Sequence, residues 1–132
     1  MSEMIRTKSI YDPKEESDGI RILITRYWPR GIKKEYFDKW YKELSPSRGL
    51  LKKYKDKKID FPSFGKLFLE EIQQSNVIEI CREIAHESIK GNVITFLCYE
   101  KDESICHRKF IKKICERELS KVRWDRINWL ND

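Results

Sequence analysis

A chain of 132 residues is the size of one domain and can bury a self-sufficient core without staples. Its 39% hydrophobic and 12% aromatic content excludes a disordered polymer, and no apolar run is long enough to span a bilayer, so no membrane partner is expected. The net charge of +6 is carried by residues 1–60 and 104–132, while the middle of the chain is acidic. The first residues form no basic-then-apolar signal segment, so a cytoplasmic protein with four reduced cysteines is expected. Those cysteines contain no CxxC pair of the zinc-ribbon kind.

Residues 4–11 mix apolar and polar side chains, as a strand at a sheet edge does, and Asp12-Pro13 ends them. A polar loop follows over 14–19. Residues 20–25 form a mostly apolar strand of the kind buried on both faces, and Tyr27-Trp28-Pro29-Arg30-Gly31 loops from its carboxyl end. Phe37, Trp40, Tyr41 and Leu44 recur at helical spacing and predict a helix over 34–44, stopped by Ser45-Pro46. Leu50, Leu51 and Tyr54 suggest a short helix. Asp60 can cap another with Pro62 in its first turn, whose buried stripe is Phe64, Leu67, Phe68 and Ile72. Val77, Cys81, Ile84 and Ala85 mark the next helix, and Gly91 ends it.

Residues 93–98 are an apolar strand. Asp102 or Ser104 can cap a final helix, roughly 105–119, whose core face is Phe110, Ile111, Ile114 and Cys115. Residues 120–132, with Trp124 and Trp129, are open between strand, helix and partner-contacting segment. Strands interspersed with helices predict a small layered α/β fold, one domain over 1–132, with a largely parallel central sheet flanked by helices. Ligands of such sheets bind beyond the carboxyl ends of the strands. Arg26 and Arg30 follow the second strand, and Cys98 and Glu100 end or follow the third. If those strands are parallel neighbours, all four residues share one rim.

Cys106-His107-Arg108 opens the final helix. A helix N-terminus offers unpaired N–H groups and the positive end of the dipole, which suits an anion. Arg108 adds a planar fork of donors, and Arg26 and Arg30 can approach from the neighbouring strand end. Equally, Arg108 can pair with Glu100 and pin the loop. Cys106 stands where a thiolate is stabilised, as a nucleophile or redox thiol, with His107 as general base. The structural alternatives are a small buried first-turn cysteine and a histidine bonded to a backbone carbonyl. Cys98 and Glu100 complete the candidate catalytic set, whereas Cys81 and Cys115 fall on packing stripes. A metal site from Cys98, Cys106 and His107, three ligands with an open position, is the minor alternative: the spacing matches no common zinc pattern and neighbouring residues point apart on a helix, so neither a metal nor another cofactor is assigned.

The run Lys52-Lys53-Tyr54-Lys55-Asp56-Lys57-Lys58 reads as a solvated helix end or as a phosphate-contacting patch for nucleic acid. No aromatic-interleaved binding motif accompanies it. The favoured reading is a domain that binds a small anion, a phosphate or nucleotide, and acts on it through Cys106 and His107. The alternatives are a nucleic-acid-binding module, a thiol redox protein using Cys98 and Cys106, and a domain that docks a partner.

Ile10-Tyr11-Asp12-Pro13, Asp18-Gly19-Ile20-Arg21-Ile22-Leu23-Ile24, Arg26-Tyr27-Trp28-Pro29-Arg30-Gly31, Trp40 and Ser45-Pro46-Ser47 resemble the domain of unknown function 488 family. So do Leu97-Cys98-Tyr99-Glu100 and Cys106-His107-Arg108, and the resemblance runs to about Leu119. It implies a small single-domain α/β protein and names no reaction. Thr25 stands where one branch of that family usually carries an aspartate before the arginine, so any chemistry of that carboxylate is missing here.

Overall fold

The computed structural model describes residues 4–100 and 106–131, with side chains through Trp124. Four strands, β1 (Ile5–Ser9), β2 (Ile20–Leu23), β3 (Lys39–Trp40) and β4 (Ile94–Cys98), form one sheet in the order β1-β4-β2-β3. Every neighbouring pair is parallel. β4 lies between two strands, and all five of its residues are buried, which explains its unbroken apolar run. The register pairs Ser9 with Cys98 and Leu23 with Leu97, so β1, β4 and β2 end at the same level. The predicted α/β fold with a parallel sheet is the fold observed.

Three helices, α1 (Arg48–Lys55), α2 (Phe61–Gln73) and α3 (Val77–Ile89), lie between β3 and β4 in the chain, and α4 (Arg108–Asn131) follows β4. Ser47 caps α1 through the Leu50 N–H. Asp60 caps α2 through the Ser63 N–H at 2.8 Å, with Pro62 in the first turn as the sequence predicted. All four helices contribute to a main core built on Ile5, Ile22, Ile94 and Phe96 of the sheet. The other sheet face carries only Ile10, Leu23 and Leu97, covered by Ile32, Phe37 and Trp40. Gly19 enters β2 at φ +66°, with its Cα so close to Val93 that a Cβ would collide with that residue's carbonyl.

Two expectations are corrected. Residues 34–44 are not a helix: two 3₁₀ turns, Lys34–Tyr36 and Lys42–Leu44, flank the short strand β3. The four apolar residues that recur at helical spacing do not share a face. Phe37 and Trp40 pack on the small cluster, while Tyr41 and Leu44 pack on the main core, across the sheet. The open edge of β2 recruits the backbone instead, through Asp38 N–H to the Arg21 carbonyl (2.8 Å) and Tyr41 N–H to the Leu23 carbonyl (2.9 Å). Second, α4 begins at Arg108 and continues through the tail to Asn131. The proposed caps Asp102 and Ser104 lie outside the described residues.

Strand β2 also buries a charge that its apolar pattern conceals. Arg21 is 1% exposed. Its guanidinium pairs with Asp18 and donates through Nε to the Tyr36 carbonyl at 2.7 Å. Lys8 adds a second cation to Asp18 at 3.1 Å. Burial alone would raise the Asp18 carboxyl, but the Glu15 backbone N–H, Lys8 and Arg21 outweigh it and hold the group below its ordinary 3.8. Asp18→Asn therefore strands the buried guanidinium and is expected to lower stability by about 3 kcal/mol at neutral pH, measured by urea denaturation. A depressed carboxyl stabilises the fold above its unfolded value, so the gap between wild type and variant should shrink as pH falls below 3.8. A gap that is constant with pH would show that the Asp18 charge does not stabilise the fold.

Candidate functional site

The carboxyl ends of β2 and β4 lie side by side, and the start of α4 returns to them. His107 is 6% exposed, and its Nε2 sits 2.7 Å from the Ile24 carbonyl. A carbonyl only accepts, so Nε2 carries a proton, and Nδ1 is the ring nitrogen left to face the rest of the site. Nδ1 faces two sulfurs, Cys98 Sγ at 3.6 Å and Cys106 Sγ at 3.8 Å. Phe68 meets the imidazole edge-on, with centroids 5.8 Å apart, and fixes it from the side. Cys98 and Cys106 are each 3% exposed.

The two thiols divide the charge between them. A hydrogen bond from Cys98 holds the Cys106 thiol well below its ordinary value; burial opposes this, and His107 and the Arg108 backbone N–H reinforce it. Cys98 moves the other way, raised by the sulfur it serves and by burial. The two sulfurs are thus pushed apart, Cys106 toward the thiolate and Cys98 toward the thiol. The backbone N–H at the start of α4 contributes as the sequence argument anticipated.

These groups line the buried end of a cavity of about 450 Å³. Leu51, Tyr54 and Phe64 supply apolar surface from α1 and α2. Thr25, Arg26, Tyr27, Lys55, Tyr99 and Glu100 supply the polar part. Arg26 donates through Nε to the Pro46 carbonyl (3.2 Å) and through Nη2 to the Ser45 carbonyl (3.0 Å). Its Nη1 makes no hydrogen bond among the described residues. The Thr25 hydroxyl donates to the Tyr27 carbonyl at 2.7 Å, and the Thr25 carbonyl accepts from Trp40 Nε1 at 2.7 Å. Where an aspartate would add charge to the cavity, this chain has a hydroxyl already engaged in holding the loop.

The seven candidate residues are not all brought together. Cys98, Cys106, His107, Glu100 and Arg26 line the cavity, and Arg30 and Arg108 do not. Arg30 is exposed on the neighbouring loop, where its carbonyl accepts from the Tyr11 hydroxyl at 3.1 Å. Arg108 is 2% exposed and donates to the Glu100 carbonyl, which pins the loop after β4. The histidine–carbonyl contact weighed for His107 is also present, and it orients the ring instead of removing it from the site. Ser45, Tyr54, Phe64 and Tyr99 were missed as cavity residues. Tyr54 and Phe64 had been assigned to helix stripes, and the stripe that packs the core continues over the cavity.

The expectation that Cys106 and His107 point apart is overturned. Both precede the first residue of α4, so helical spacing does not apply to them. With Cys98, their donor atoms all lie within 4.8 Å of one another, the group among the described residues able to hold a metal ion. Cys81 and Cys115 are buried between α3 and α4, where Cys81 and burial raise the Cys115 thiol.

A small parallel α/β protein with a thiol–imidazole cavity at its strand ends is the class the fold and site define. The chain belongs to the DUF488 family: the family model described as "Active DUF488-N3 subclade" matches residues 5–119. Over 72 residues it is 46% identical to the uncharacterized protein YeaO of Escherichia coli K12, covering 53% of this chain and 63% of that protein. The match thus spans under two thirds of YeaO. Over 87 residues it is 29% identical to the uncharacterized proteins Mb3100c of Mycobacterium bovis and Rv3073c of Mycobacterium tuberculosis H37Rv, covering 64% of this chain and 74% of each relative. No solved structure matches.

Because Arg108 holds backbone, its loss should register as stability. Arg108→Ala is expected to cost about 2 kcal/mol, the worth of a hydrogen bond from a charged group. Urea midpoints check this, and an unchanged midpoint would show that the Glu100 contact contributes nothing.

Proposed function

We propose that the cavity binds a small anionic molecule and that Cys106 attacks it, making the chain a cysteine-dependent enzyme. One observation carries this reading: Cys98 Sγ, Cys106 Sγ and His107 Nδ1 converge at the buried end of a cavity that also holds Arg26. A volume of about 450 Å³ suits a metabolite-sized ligand. Arg26 is anchored by two carbonyls and keeps Nη1 for the anion. Cys98 orients the attacking sulfur, and His107 Nδ1 is the base within reach of a thiol proton. Tyr54 and Phe64 give the apolar part of the ligand a surface, and Glu100 bounds the mouth.

Two alkylating probes with the same reacting carbon test it, iodoacetate as the anion and iodoacetamide as the neutral control. Cys106 should be the residue alkylated in the native chain, and Cys106→Ser should abolish the reaction. Arg26→Gln should slow iodoacetate about fivefold relative to iodoacetamide, the worth of a ~1 kcal/mol charge contact near solvent. A native chain whose Cys106 resists both probes would sink the proposal. An unchanged rate ratio in Arg26→Gln would remove the anion from it.

The contact between the Cys98 and Cys106 thiols favours a second reading, dithiol–disulfide exchange. One equivalent of peroxide should then join the two sulfurs, with loss of two hydrogens and reduction of the peroxide to water. Mass spectrometry of the digested protein checks for that linked pair, and thiols that stay separate would exclude the reaction.

A further inference from the structure

We infer that Cys98, Cys106 and His107 form a site for a soft divalent cation of the zinc class, with the fourth coordination position open to the cavity. The inference rests on the reading of that cavity as the ligand site and assigns what acts at its buried end.

The spacing of the donors is the first argument. Zinc–nitrogen bonds of about 2.0–2.1 Å and zinc–sulfur bonds of about 2.3 Å, set at tetrahedral angles, place nitrogen and sulfur about 3.5 Å apart. The observed separations from His107 Nδ1 are 3.6 and 3.8 Å. Sulfur and nitrogen from three side chains stand near the corners of one coordination polyhedron.

The second argument is the imidazole's outer contact. A ligating histidine usually donates its other ring N–H to a carbonyl or carboxylate, which fixes the tautomer and aims the lone pair. Here Nε2 donates to the Ile24 carbonyl at 2.7 Å, and Nδ1 is the nitrogen left facing the sulfurs. Charge is the third. Two thiolates neutralise a divalent cation, so the assembled group carries no net charge among side chains that are 3–6% exposed. Three protein donors with one open position is the arrangement of catalytic rather than structural zinc. The sequence spacing resembles no zinc ribbon because the ligands come from a strand end and the start of the helix that follows it.

The chemistry changes accordingly. In the metal-free chain the Cys106 sulfur is the nucleophile. With the cation in place that sulfur is a ligand, and the cation is the electrophile that polarises an oxygen of the anion held by Arg26.

Cobalt titration of the full chain, reduced and stripped with chelator, tests the site. One equivalent of Co²⁺ should produce the visible bands of a tetrahedral centre and the near-ultraviolet thiolate charge-transfer band, and excess Zn²⁺ should erase both. Zn²⁺ should also protect Cys98 and Cys106 from iodoacetamide. Cys98→Ser and Cys106→Ser should each weaken uptake beyond the roughly 10–100-fold caused by losing an outer contact. Cys81→Ala should leave uptake unchanged, and circular dichroism checks that every variant is folded. Absence of the bands in the wild type overturns the inference, as does uptake that survives both serine substitutions in folded protein. The two readings fail separately. A stripped chain whose Cys106 prefers iodoacetate but which takes no Co²⁺ loses only the cation site. A chain that takes Co²⁺ yet resists both alkylating probes when stripped loses only the nucleophile.

Discussion

The hydrogen bond from His107 Nε2 to the Ile24 carbonyl joins the start of α4 to the end of β2, and the site depends on it. The Ile24 N–H in turn bonds the Leu97 carbonyl at 3.0 Å. A continuous line of hydrogen bonds therefore runs from β4, through the Ile24 peptide, to the imidazole. The sheet ladder thereby sets the direction in which Nδ1 faces. Cys98 occupies the last position of the same ladder, one residue beyond Leu97. Two of the three converging groups take their positions from adjacent rungs of one rigid element, which is why they meet within a few ångströms.

Charge is buried at both ends of the sheet and handled in different ways. Near the amino ends, Arg21 and Asp18 neutralise each other, with Lys8 as a second cation. Near the carboxyl ends, Arg108 donates to the Glu100 carbonyl, and its positive charge reaches the thiols. That field is one of the influences that lower Cys98, although Cys106 and burial overcome it. Between α3 and α4, Glu118 is 0% exposed and draws Arg82 and Lys121 in from solvent at 3.0 and 3.2 Å. Each arrangement satisfies a group that would otherwise cost several kcal/mol to bury.

Much of this was legible in the sequence where one rule acted alone. β4 showed as an apolar run because it is covered on all sides, and α2 and α3 showed as stripes with a cap or a terminating glycine. The convergence of Cys98 with Cys106 and His107 was readable because β4 ends shortly before them. Legibility failed where tertiary contacts overrode local pattern. Phe37, Trp40, Tyr41 and Leu44 have helical spacing, but they serve two cores on opposite faces of a sheet, and no one-dimensional period separates those cases. Arg21 was hidden in an apolar strand because its partners, Asp18 and Tyr36, sit in turns on either side. For Arg108 the sequence leaves anion binding and loop pinning open, because it records donors and not the carbonyl that engages one of them. Cys106 and His107 were placed inside a helix that begins one residue later, and that single step reversed the expected directions of their side chains.

The Thr25–Trp40 contact has a consequence for how such a protein can diversify. Trp40 clamps the Thr25 carbonyl, so the segment carrying Arg26 and Tyr27 is tethered to the sheet edge, while the Tyr99 hydroxyl, donating to the Tyr27 carbonyl, ties it to the residue after Cys98 as well. The loop after β2 is thereby held from two sides, and a substitution that shifts it is felt both at the sheet edge and at the wall that carries Cys98, so the two can change only in concert.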